Sequence, residues 1–210
     1  MSRQSLSVYI KQLKRPVFTT FELASLSGKS LSTTSQSLSY LQKEGLIKKV
    51  YRGIWIDADS EKVNPYMIIP FLFPRQRVYV SFLSALHMHG IIEQIPQMIT
   101  VAATCQPKIL KTAIGVFSIH QIAASFFNGF DWYKETGNFL LAEPEKALID
   151  CLYLSTRKKK QFAHFPELYF PKAFSAKKVE KWINTISEKR IRASVFGKWE
   201  TLGFGRKFIG

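Results

Sequence analysis

The sequence predicts an α+β protein in two parts: an N-terminal winged helix-turn-helix followed by a mixed α/β C-terminal domain. Three observations carry that prediction. Three short helical patterns precede a basic, aromatic hairpin within residues 1–57, a net charge of +15 is concentrated at the two ends of the chain, and two strand-and-helix blocks fill the middle. With 210 residues and 46% hydrophobic composition, the chain is long enough for a real core and too apolar for disorder. The expected domains are 1–58 and 63–210, joined through the polar stretch "DADSEKVNP" at 57–65.

The first helix takes its apolar stripe from Leu6, Val8, Tyr9, Ile10 and Leu13. Pro16 ends it, because proline has no amide hydrogen and crowds the preceding turn. The next helix is "TTFELASLSG" at 19–28, where Thr19 and Glu22 have capping-box spacing. Phe21, Leu23 and Leu26 supply its apolar positions, and Gly28 closes it. Ser30 or Ser32 caps a third helix that Gly45 terminates. At 100° per residue, Leu31, Leu38 and Leu41 fall within an arc of roughly 80°, the expected buried face. Thr33, Gln36, Tyr40 and Lys43 cluster on the opposite side. A hairpin follows, "LIKKV", a turn at Arg52-Gly53, then "IWID".

In a winged helix-turn-helix the third helix lies in the major groove with its exposed face toward base edges. Ser32, Thr33, Thr34, Gln36, Ser37, Tyr40 and Lys43 are the residues expected there. Their hydroxyls donate and accept, and glutamine pairs bidentately with adenine. Lys48, Lys49, Tyr51 and Arg52 of the hairpin are expected on phosphates or in the minor groove, where they position rather than specify.

Charge supports a polyanionic partner, expected to be double-stranded DNA. Residues 1–57 carry 9 Lys/Arg against 3 Asp/Glu, residues 58–150 carry 7 against 8, and residues 151–210 carry 14 against 4. No segment pairs a basic face with a strongly apolar one, so no membrane partner is expected. The most apolar run, residues 66–73, is short and interrupted by Pro70. The N-terminus lacks the order of a secretory signal, and two cysteines, Cys105 and Cys151, are too few for a disulfide framework. A cytoplasmic location is expected.

The middle blocks are "YVSFLSALHMHGIIEQIPQMITVAA" at 79–103, read as helix, Pro-containing loop and strand, and "LLAEPEKALIDCLYLS" at 140–155, read as strand end, turn and helix. Matching residues are Ser81, Ser84, Ala85, Leu86, His87, Gly90, Ile99 and Val101 in the first, then Pro144, Glu145, Lys146, Ala147, Leu148, Asp150 and Leu152 in the second. With the N-terminal helices, they resemble the AbiEi-family antitoxins of type IV toxin–antitoxin (abortive infection) systems. The resemblance spans roughly residues 5–155 and leaves the last 55 unmatched. It implies a bacterial repressor of its own operon, binding inverted repeats upstream. It also implies that the second domain neutralises a nucleotidyltransferase-like toxin without a stable complex. A solitary regulator that kept the fold and lost the toxin would look the same.

The residues of those blocks also have a plain physical reading. His87 and His89 point about 200° apart on a helix and cannot easily share an ion, so no metal is expected. Pro144 and Glu145 suit a helix start, and Lys146 with Asp150 reads as an i,i+4 surface pair. A metal nuclease would need clustered carboxylates. Glu143 and Glu145 flank a proline, and Asp131 and Glu135 lie in a polar surface stretch. Cys151 sits in an apolar run, and no phosphate loop or cofactor motif is present. No catalytic residue and no cofactor is expected, and an enzyme is disfavoured.

The C-terminal third joins Arg157, Lys158, Lys159 and Lys160 to Phe162, Phe165, Tyr169, Phe170 and Phe174. Such interleaving suits nucleic-acid backbone and base contacts, and equally suits lysines snorkelling over an aromatic core. "SAKKVEKWINTISEKR" at 175–190 predicts one amphipathic helix with Val179, Trp182, Ile183 and Ile186 inward. Lys177, Lys178, Lys181 and Lys189 stay wet. Arg157 to Lys160 with Lys177, Lys178 and Lys181 form a candidate second basic surface for DNA, RNA or protein.

Overall fold

The computed structural model describes residues 5–58, 63–133, 135, 138–157, 162 and 164–202. Helices and strands both build it, consistent with an α+β class. The chain divides into two compact units. One comprises Met1–Arg75 with Lys111–Gly115 and Lys134–Asn138, and the other comprises Gln76–Leu110, Val116–Tyr133 and Phe139–Gly210. The first unit therefore runs past the expected boundary at 58–63 and takes in two short segments from later in the sequence. Residues 59–62 of the expected linker lie outside the described residues.

The first unit contains α1 (Leu6–Gln12), β1 (Val17–Thr19), α2 (Thr20–Ser27), α3 (Leu31–Lys43), β2 (Ile47–Tyr51) and β3 (Ile54–Asp57). A 3-10 turn, Pro65–Ile68, then leads into α4 (Ile69–Leu72). The three strands form an antiparallel sheet in the order β1-β3-β2, with Val17 opposite Ile56 and Lys49 opposite Trp55. Helix starts follow the capping chemistry. Thr19 and Glu22 form the reciprocal capping box of α2. Ser30, not Ser32, caps α3 by accepting from the Thr33 amide at 3.1 Å. At the other end of α3, Gly45 donates to the Gln42 carbonyl and Leu46 to the Leu41 carbonyl, which uses up two terminal acceptors.

Leu6, Ile10, Phe18, Leu23, Leu38, Leu41, Ile47 and Trp55 pack into the core of this unit, with Tyr9 and Leu13 against it. Four expected core positions are corrected, the first being Val8, which is 38% exposed about 160° around α1 from both Leu6 and Ile10. Phe21 is 69% exposed and Leu26 52%, because α2 turns Leu23 and Ala24 inward. Phe21 stands about 160° from Leu23, and Leu26 about 160° from Ala24. Leu31 is 55% exposed, although it lies on the correct stripe. It is the first residue of α3, and a helical side chain leans toward the N-terminus, here past the end of the core. Thr34 fills the buried stripe with Leu38 and Leu41.

The second unit is built on β4 (Val78–Val80), α5 (Phe82–Met88), β5 (Ile99–Ala103), β6 (Lys108–Thr112), β7 (Gly115–Gln121), β8 (Phe130–Tyr133) and β9 (Phe139–Ala142), except that Lys111, Thr112 and Gly115 at the joined ends of β6 and β7 group with the first unit. α6 (Pro144–Ser155), α7 (Ala176–Asn184) and α8 (Lys189–Thr201) follow. The six strands are ordered β6-β7-β5-β4-β9-β8. β4 runs parallel to β9 and β5 to β7, whereas β4–β5 and β8–β9 are antiparallel. α6 packs against α5, α7 and α8, and every residue from Glu145 to Ser155 is buried. The single helix expected over 175–190 is instead two helices. α7 ends at Asn184, Ile186 is buried in the connection, and Glu188 starts α8.

Candidate nucleic-acid interface

α3 presents the polar face that its spacing demands. Ser32, Thr33, Gln36, Tyr40 and Lys43 are exposed, and Tyr40 leaves 62% of its surface in solvent despite its aromatic ring. Positions 33, 36, 40 and 43 recur at three- and four-residue steps and so share one side of the helix. Two neighbours differ. Thr34 is fully buried, and its hydroxyl donates to the Ser30 carbonyl at 2.9 Å, which removes it from the base-facing set. The cause is its place one turn before Leu38 on the inward stripe. Ser37 is half-buried and donates to the Thr33 carbonyl at 3.0 Å, so its remaining capacity is as an acceptor.

The β2–β3 hairpin follows directly. Lys48, Lys49 and Arg52 are exposed and Tyr51 is half-buried. Gly53 makes the turn at φ 73°, a conformation that disfavours other residues, and its carbonyl accepts from the Thr20 amide at 3.0 Å. Lys49 reaches over the ring of its cross-strand neighbour Trp55, 5.5 Å from the centroid, and the Trp55 indole N–H donates to Thr20 Oγ1 at 2.9 Å. A cation held on an aromatic face is restrained before any ligand arrives. The hairpin is thus a fixed, cationic edge directly after a polar helix.

In the second unit, the candidate basic surface divides. Lys177, Lys178 and Lys181 are exposed on α7, while Val179 and Ile183 are buried and Trp182 half-buried. Lys178 stands 3.7 Å from Glu143, both well exposed, an ion pair of small energy. Arg157 is exposed, but its guanidinium lies over the Tyr153 ring and donates to the Tyr153 hydroxyl. Lys158, Lys159 and Lys160 lie outside the described residues.

The expected surface pair on α6 is corrected outright. Lys146 and Asp150 are fully buried and ion-paired. Asp150 also accepts from the Tyr79 hydroxyl at 2.9 Å and from Ser81 at 2.7 Å, and Lys146 donates to the Tyr79 hydroxyl at 3.0 Å. The ammonium sits 4.0 Å from the centroid of the Phe126 ring. Burial pushes the Lys146 pKa down against the opposing pull of Asp150, and burial followed by the Asp150 charge pushes the Tyr79 phenol well up. Beside this cluster, Glu145 Oε1 accepts from the Ser175 amide at 2.8 Å, where Ser175 caps α7. Glu145 Oε2 is buried without a hydrogen-bond partner among the described residues. Sequence reasoning missed Tyr79 and Ser81 as partners of Asp150. The available signal was an acid and a base at i,i+4 inside an otherwise apolar helix.

His87 Nδ1 lies 3.3 Å from the Ile92 carbonyl and His89 Nε2 2.7 Å from the Ala142 carbonyl, so each ring faces backbone. Among the described residues, no three His, Cys, Asp or Glu side chains stand together to hold a metal, and no helix is long and apolar enough to cross a membrane. No protein-family model matches the chain, and no curated protein matches it.

Proposed function

We propose that the chain is a sequence-specific DNA-binding repressor whose first unit acts as a winged helix-turn-helix, with α3 as recognition helix and β2–β3 as wing. The observation that carries this is the juxtaposition on consecutive elements of an exposed polar face, Thr33, Gln36, Tyr40 and Lys43, and an exposed basic hairpin, Lys48, Lys49 and Arg52. A helix of that composition reads base edges, and such a hairpin holds phosphate. The protein acts by binding rather than by catalysis. The test is fluorescence anisotropy on the duplex upstream of the chain's own gene, with a scrambled duplex as control. A preference of roughly a hundredfold or more supports sequence-specific autoregulation. Equal binding to both duplexes removes the repressor reading.

The resemblance to AbiEi-family antitoxins extends the proposal. The repressor silences an operon that includes a nucleotidyltransferase-like toxin, and the second unit opposes that toxin. Co-expression should restore growth to cells producing the toxin encoded beside it. Growth arrest that persists despite co-expression would leave a solitary regulator.

A further inference from the structure

We infer that the β6–β7 turn, Lys111–Gly115, is a third element of the DNA-binding surface, with Lys111 as a phosphate-contacting cation alongside the wing. This rests on the DNA-binding reading above. Although remote in sequence, the turn groups with the first unit. The Ala113 amide donates to the Val50 carbonyl at 2.9 Å. That bond has a local cause. β2 is the edge strand of its sheet, and the register shifts between Lys49 and Tyr51, so Val50 is the bulged residue. A bulge leaves its extra residue out of the ladder, and an uncovered edge invites foreign strands. The turn occupies that site.

The turn is also internally braced. Thr112 Oγ1 donates to the Gly115 carbonyl at 2.7 Å and accepts from the Ile114 amide at 3.3 Å. Lys111 is exposed and forms no ion pair among the described residues. Its Cα lies within about 7 Å of the Ala113 Cα by chain length alone. The backbone that carries Lys111 is therefore held close to β2, the strand of Lys48 and Lys49.

The experiment compares full-length wild type, Lys111→Gln, Lys111→Arg and Arg52→Gln on a labelled random-sequence duplex, with circular dichroism as the folding control. Each phosphate contact contributes about 0.9 to the slope of log K against log salt. Between about 50 and 200 mM salt, wild type should lose roughly threefold more affinity than Lys111→Gln, and Lys111→Arg should behave as wild type. A Lys111→Gln slope equal to wild type, with a reduced Arg52→Gln slope, overturns the inference and leaves the DNA reading standing. Wild type without salt-dependent binding overturns both.

Discussion

Lys146 and Asp150 show how much one buried pair constrains its surroundings. Lys146 has its donors on Asp150 and Tyr79 and its charge over Phe126, and Asp150 receives Lys146, Tyr79 and Ser81. Removing one partner strands the other in a dry core. Asp150→Ala should therefore destabilise the protein by about 3–5 kcal/mol in a denaturant titration. The double variant Lys146→Met/Asp150→Leu should recover part of that loss, because it removes both charges together. A double variant less stable than Asp150→Ala would show that the pair earns its burial by net attraction. Gly129 belongs to the same packing: a methyl group there would collide with the Trp182 ring and come within 3.0 Å of the Lys146 side chain. Next to Asp150, Cys151 gives a pH signature. Burial, then the Asp150 charge, pushes its thiol well up. Above about pH 8.5 the unfolded chain loses that proton while the folded chain keeps it, so the thiol makes stability fall as pH rises. The stability difference between wild type and Cys151→Ala should be constant below that pH and shift by about 1.4 kcal/mol per unit above it, to the disadvantage of wild type. A constant difference up to pH 10 would mean that the thiol ionises equally in both states.

At the scale of the element, the proposed function assigns base reading to α3 and phosphate contact to the hairpin. Gln36→Ala should cost about 1–3 kcal/mol on the specific site and little on random duplex. Arg52→Ala should weaken both and lower the salt slope by about one unit. Equal losses on both duplexes for Gln36→Ala would end its role as a base reader. α6 and α7 offer a second test, since Glu145 ties one to the first turn of the other. Glu145→Gln keeps the acceptor for Ser175 and neutralises the unpartnered oxygen, so it should cost less than Glu145→Ala, which should lose about 1–3 kcal/mol. Equal losses would mean that the tie to α7 carries no weight. These elements also show why the sequence was readable in places. The limits of α3 were legible because serine and glycine signal helix ends locally. β1 was not, because a three-residue strand has no periodicity, and its partner, Ile54–Ile56, lies far along the chain. The burial of Lys146 was illegible for a related reason. Spacing predicts which residues share a helix face, but whether three further helices cover that face depends on distant sequence.

For the whole molecule, the question is whether the excess charge acts as one surface. Residues 1–57 and 151–210 hold all of it, with 9 Lys/Arg against 3 Asp/Glu and 14 against 4. Lys177, Lys178 and Lys181 stand exposed on α7, whose opposite side is anchored by Val179 and Ile183. If duplex DNA also meets α7, those lysines displace counterions as well. The triple variant Lys177→Gln/Lys178→Gln/Lys181→Gln should then lower the salt slope by up to about 2.7 on a duplex of roughly 30 base pairs. An unchanged slope would assign the α7 lysines to a partner other than duplex DNA.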